Sequence, residues 1–300
     1  MSGSEIESQK GFFAALSTFI LWGFLPVYWK LLESVPPFEI ICHRIIWSVI
    51  FLVLTISLTR RWNRVMATLH DRETMKILLL SGVIVGCNWL IYIWAVNTDR
   101  VLEASLGYYI NPLVLVLFGY IFFRERPRKM QWLAISIAAG GIFFRIVKYG
   151  NVPFASLGIA ITFATYGLLR KKADVDPLTG LLIETAILSI PALILVSIWG
   201  SSGTGSFGIS DIRTSLLLVG TGIATSVPLM SFVYGAKRIQ LLTVGILQYI
   251  APTITFFLGI FLYHEPFQQL QLVTFLCIWT ALLIYTAESF FYQKRFWYKK

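Results

Sequence analysis

Between Val101 and Glu125 the chain reads VLEASLGYYINPLVLVLFGYIFFRE, and 140 residues later, from Leu241 to Glu265, LLTVGILQYIAPTITFFLGIFLYHE repeats its punctuation. Tyr109 falls on Tyr249, Ile110 on Ile250, Pro112 on Pro252, Gly119 on Gly259 and Glu125 on Glu265. The same offset brings Pro37 onto Pro177 and Gly82 onto Gly222. Self-similarity at a fixed offset constrains a fold more tightly than any local pattern. Each copy is also an apolar run of about 20 residues or more, the length a helix needs to cross a hydrocarbon layer roughly 30 Å thick. An all-α polytopic membrane protein built of two related halves, residues 1–150 and 151–300, is the expectation.

Composition agrees: 57% of residues are hydrophobic and only 13% charged, against about a quarter charged in a soluble domain. Ten spans are predicted, at 11–30, 38–58, 76–96, 101–122, 130–147, 153–170, 178–199, 213–235, 241–262 and 269–290. Pro and charged clusters punctuate the turns between them. The alternating ten-residue segments of a membrane barrel are not visible. The formal net charge of +10 invites a nucleic-acid reading, but the basic residues cluster at span ends, where they act as orientation signals. With the N-terminus in the cytoplasm, nineteen of the 25 Lys and Arg residues fall on the inner side, and reversing the chain would invert the bias. Both termini are therefore expected to be cytoplasmic. Five spans per half is an odd number, so the halves are expected to be inverted relative to each other. Two such halves can exchange shapes, giving inward-open and outward-open states around a midplane site.

Catalytic and cofactor chemistry find no support. Cys42, Cys87 and Cys277 lie in apolar spans and read as small buried hydrophobes. His43, His70 and His264 fall on different sides and cannot share a metal. GTGSFG, residues 203–208, matches the nucleotide-binding glycine pattern but follows a membrane span rather than a strand, so it reads as a flexible external loop. No cofactor, metal or nucleic acid is expected.

Several longer blocks carry a resemblance. ILWGFLPVYWK, HRIIWS, NWLIYIWAVN and EASLGYYINPL in the first four spans, then ERPRKMQWLA, YGLLRKK, GLLIET, GIATSVPL and QYIAPT, resemble the RarD branch of the EamA-type transporters, in the drug/metabolite transporter superfamily. Only the loop 200–212 and the C-terminal tail lie outside the match. The resemblance implies a bacterial inner-membrane permease exporting small metabolites or drugs, with no ATPase domain and an association with chloramphenicol sensitivity. It also implies spans 1–4 and 6–9 around a central cavity, with spans 5 and 10 peripheral and free to support a homodimer.

Ionisable groups inside hydrocarbon are functional candidates by default. Arg44 lies about 9 Å below the outer boundary of span 2 by rise per residue, and Glu103 lies at similar depth in span 4. They are expected to be partners, either pinning two helices or forming a gate or substrate-carboxylate site; a third reading has Arg44 snorkelling outward. Glu184, at the repeat position of Arg44 in span 7, is the candidate for proton coupling, since a carboxyl can take up and release protons as access alternates. The alternative is a structural Glu184, hydrogen-bonded or paired with Lys171 or Lys172. Polar and aromatic residues on plausible cavity faces complete the set: Trp22, His43, Trp47, Asn88, Tyr92, Tyr108, Asn111, Tyr166, Gln248 and Tyr249. Asn111-Pro112 and Tyr249-Ile250-Ala251-Pro252 place prolines mid-span, where a freed carbonyl is tolerated beside a cavity or neighbour. Small-molecule substrate, membrane lipids and protons are the expected partners.

Overall fold

In lipid every backbone amide needs an internal partner, and the apolar runs meet that demand as helices. The computed structural model describes residues 3–297 except 125–126, 151, 174, 209–210, 237 and 240–246. Among these the regular elements are helical. They are α1 (Gly3–Lys30), α2 (Pro37–Leu58), α3 (Trp62–His70), α4 (Arg72–Asn97), α5 (Val101–Phe123) and α6 (Lys129–Tyr149). The second half holds α7 (Phe154–Ala173), α8 (Pro177–Ser202), α9 (Ile212–Ala236), α10 (Ile250–Phe257) with a π turn Leu258–Leu262, and α11 (Gln269–Trp297). Eight of the helices are long and apolar enough to cross a membrane, and Phe154–Arg170 and Ile250–Leu262 are shorter apolar helices. The first part of the span expected at 241–262, residues 241–246, lies outside the described residues.

Repeat-related positions do the same local work. Pro37 and Pro177 each open a helix at its first turn, where the missing amide costs nothing. Gly82 and Gly222 each bring two helices close. A Cβ on Gly82 would stand 3.4 Å from the Glu184 backbone, and one on Gly222 would stand 2.6 Å from the Trp47 backbone. The result is contact of α4 with α8 and of α9 with α2. The most extensive packing joins α5 with α7, α6 with α11, α4 with α7, α2 with α8 and α9, and α1 with α9. Most of these contacts cross from one half to the other, so the halves interlock rather than stand as separate cores.

Polar side chains bond across the same interfaces: Thr18 Oγ1 donates to the Pro228 carbonyl (3.0 Å), Ser105 Oγ to Pro252 (2.8 Å) and Thr255 Oγ1 to Gly23 (3.2 Å). One end of the bundle is tied by Lys30 to Asp99 and by Lys30 lying 5.5 Å over the Tyr263 ring. At that end Glu265 also accepts from the amides of Val101 and Leu102, capping α5. The other end carries Arg61–Asp176 (4.0 Å), Arg128–Glu288 (2.6 Å) and Arg238–Glu7 (3.0 Å).

Four expectations change. Residues 62–70, left between the spans expected at 38–58 and 76–96, form α3, with Val65 buried and Trp62, Met66 and Leu69 exposed. The external loop is not free: Ser206 donates its amide (2.6 Å) and hydroxyl (3.0 Å) to Glu39, and Phe207 stacks on His43 at 4.9 Å. Cys87 is exposed rather than buried. Pro112 lies inside α5, as expected, but Pro252 sits in the first turn of α10, preceded by a turn at Gln248-Tyr249.

Candidate functional site

Arg44 is 6% exposed, in the middle of the face that α2 turns to the bundle. Its guanidinium lies 4.1 Å from the Trp89 ring centroid and 5.1 Å from that of Trp29. It has no carboxylate partner among the described residues. Arg44 Nε, and Ser48 Oγ one turn on, are buried without a hydrogen bond. Glu39, the nearest acid on the same helix, is taken by Ser206, with His43 Nε2 3.9 Å from its Oε1. Two desolvated cation–π contacts contribute about 2 kcal/mol each, whereas burying a charge costs several kcal/mol. Arg44 is therefore undercompensated by its own protein.

The expected Arg44–Glu103 pair does not form. Glu103 Oε1 accepts from Arg145 Nη2 of α6 at 2.9 Å, and the Glu103 carbonyl accepts from Ser156 Oγ of α7. Helix α5 is turned so that Glu103 faces Arg145 of α6. Arg44 does not snorkel either, since its side chain is buried among rings.

From Arg44 a line of aromatic side chains crosses the core. Tyr92 and Tyr108 belong to the same core cluster as Trp29 and Trp89 and meet edge to face at 5.6 Å. Tyr108 meets Phe163 at 5.9 Å, and Phe163 meets Tyr166 at 6.2 Å. Tyr166 then donates its hydroxyl to Glu184 Oε2 at 3.2 Å. Helices α2, α4, α5, α7 and α8 contribute, so the line draws on both halves of the chain.

Glu184 is fully buried. Its Oε1 accepts from Ser81 Oγ of α4 and lies 3.7 Å from Arg170 Nη1. Arg170, at the end of α7, reaches it by lying over Gly180: a Cβ on that glycine would stand 1.6 Å from Arg170 Nη1. The same guanidinium donates to the carbonyls of Val175 and Asp176 at 3.4 Å each. The basic neighbour of Glu184 is thus Arg170 rather than Lys172, which is exposed; the Lys171 side chain lies outside the described residues.

The remaining candidates divide. Asn88 donates to the Ile159 carbonyl (3.0 Å) and to Thr162 (2.8 Å), binding α4 to α7. Asn111 is buried with its Oδ1 unpartnered, but Gly107, one turn earlier, sits against Ser156 and Ile159 of α7. His43 and Trp47 face Phe207 of the loop, at 4.9 and 6.2 Å. Trp22 packs with Phe19 and Phe232 between α1 and α9. Gln248 and Tyr249 stand apart from Arg44, because Tyr249 stacks at 6.5 Å on its repeat counterpart Tyr109 in the cluster shared with α6 and α11. Sequence reasoning did not select Trp29, Ser81, Trp89, Phe163, Arg145 or Arg170 for the site. Trp89 carried a usable signal, since it follows Asn88 and precedes Tyr92 by three; Trp29 beside Lys30 at a span end did not.

The sequence model of the EamA-like transporter family matches this chain twice, at residues 9–147 and 152–287. Protein RarD of Escherichia coli (strain K12) is 42% identical over 96% of this chain and 98% of its own length. The uncharacterized transporter YojE of Bacillus subtilis (strain 168) is 43% identical over 93% of this chain and 94% of its own. One solved structure superposes with a TM-score of 0.57 at 20% identity, covering 91% of this chain and 96% of that one, a likeness of fold alone. By the double family match and the full-length relatives, this chain belongs to the EamA-like transporter family, in the RarD branch of the drug/metabolite transporter superfamily, and is a multi-pass membrane transporter.

Proposed function

We propose that this transporter exports small organic metabolites or drugs, chloramphenicol-like compounds among them, across the bacterial inner membrane by alternating access. The halves 1–150 and 151–300 act as inverted five-helix repeats, both termini are cytoplasmic, and ten spans cross the bilayer. The observation that carries the reading is the line of rings and polar groups from Arg44 to Glu184. Such groups are costly inside a bilayer protein unless something other than packing uses them, and this line crosses the interface between the two interlocked halves. Repeat-related packing at Gly82 and Gly222 supports two states of similar energy, as inverted halves require. Glu184, with Ser81 and Tyr166 as hydrogen-bond partners and Arg170 close by, is the group proposed to exchange the coupling proton.

The test is flux in proteoliposomes, screened over amino acids, nucleosides and amphenicol drugs. Saturable, gradient-driven movement of at least one solute is expected. Glu184→Gln should abolish accumulation driven by a proton gradient while leaving downhill exchange. Binding without flux would favour a non-transporting membrane sensor, and accumulation by Glu184→Gln equal to that of the unsubstituted protein would remove the coupling role.

A further inference from the structure

The charge around Arg44 specifies a class of solute. Arginine remains charged in proteins, and this one is buried with no acidic neighbour available among the described residues. Glu39 is held by Ser206, Glu103 by Arg145, and Glu184 lies at the far end of the aromatic line beside Arg170. The nearest basic side chain toward the tied end, Lys30, is itself paired with Asp99. One uncompensated positive charge is therefore set against the rings of Trp29 and Trp89, with Tyr92 and Tyr108 in the same core cluster. A ligand carrying one negative charge neutralises it; a neutral ligand leaves the guanidinium unpaired, and a dianion leaves a surplus charge of the opposite sign. The planar fork of arginine matches a carboxylate in particular, with two parallel N–H···O bonds. The flanking indole and phenol faces suit a flat organic body.

We propose that the preferred solute is an organic monoanion, its carboxylate taking the place of the partner Arg44 lacks and its body lying against Trp29, Trp89, Tyr92 and Tyr108. This rests on the transport reading above and names the substrate class of that site. It ranks a small aromatic acid above its own amide and above neutral chloramphenicol.

The experiment uses the full chain in detergent and matched probes: benzoate against benzamide, indole-3-acetate against indole-3-acetamide, and chloramphenicol. Thermal unfolding midpoints are read as a function of probe concentration. At least one acid should bind about tenfold or more tighter than its amide, the scale of a charge-assisted bidentate contact. Arg44→Lys should keep the preference for the acid with weaker binding, and Arg44→Gln should lose it. Amides that stabilise as well as the acids, no stabilisation by any acid, or an undiminished preference in Arg44→Gln would each overturn the proposal. The comparison of acid with amide in the unsubstituted protein decides the matter even if Arg44→Gln fails to fold. Acid binding without proteoliposome flux would uphold the anion site and sink transport. Chloramphenicol flux without any preference for acids would uphold transport and sink the anion site.

Discussion

Two buried arginines of the same helical bundle behave differently because of what faces them. Arg145 has Glu103 at 2.9 Å, whereas among the described residues Arg44 has only rings. Removing one partner of a buried pair strands the other, so Arg145→Met should destabilise the protein by about 3 kcal/mol or more. Replacing an unpaired buried charge by an apolar side chain of similar volume removes a desolvation cost, so Arg44→Met should be neutral or stabilising by about 1 kcal/mol or more, while losing transport. Thermal midpoints of the two variants check the pair of expectations; a large loss in Arg44→Met would mean that its role is structural. The contrast also explains why the Arg44–Glu103 pairing suggested by the sequence failed. Sequence gives spacing along each helix, through rise per residue, but the turn of α5 that puts Glu103 against Arg145 of α6 is set by tertiary packing. The Arg44 and Glu184 positions were legible because ionisable groups stand out in apolar runs; their neighbours Trp29 and Arg170 were not, because contact depends on azimuth.

Among the elements, helix contacts set by glycine give a graded series. A Cβ on Gly222 would meet the Trp47 backbone at 2.6 Å, one on Gly180 would meet the movable tip of Arg170, and one on Gly140 would meet nothing within 4 Å. Gly222→Ala should therefore cost the most, about 1–3 kcal/mol as overpacking does, and Gly140→Ala should be close to neutral or slightly stabilising. Gly180→Ala should keep the fold but move Arg170 off Glu184. Unfolding midpoints across the three variants test the order. The start of α4 offers a pH signature. A hydrogen bond from the Thr74 hydroxyl, with the amides of Thr74 and Glu73, holds the Asp71 carboxyl below the usual carboxylate range. The stability this contributes is present above the ordinary carboxylate value and is lost as pH falls through the lowered one. Asp71→Asn should remove that acid-side step from a series of midpoints against pH. Helix α3 was legible in principle, since Trp62, Val65, Met66 and Leu69 follow a helical period; the arginines around them drew attention to charge instead. The turn before α10 was hidden because an apolar run has no mark where it breaks.

For the whole molecule, the 140-residue offset was the most legible feature of the sequence, and several positions it relates make like contacts. Pro37 and Pro177 open equivalent helices, Gly82 and Gly222 seat equivalent crossings, and Tyr109 stacks on Tyr249. The family model matches the chain twice, at 9–147 and 152–287. What the repeat does not supply is the asymmetry on which the proposed function depends, an arginine at position 44 and a glutamate at 184. The central claim, that the line between them faces each side of the membrane in turn, can be tested without knowing the solute. Cys42, Cys87 and Cys277 are replaced by alanine, Tyr108→Cys is introduced, and a membrane-impermeant thiol reagent is applied to vesicles of each orientation. The account predicts labelling from both sides, and labelling from one side only, or from neither, would contradict it.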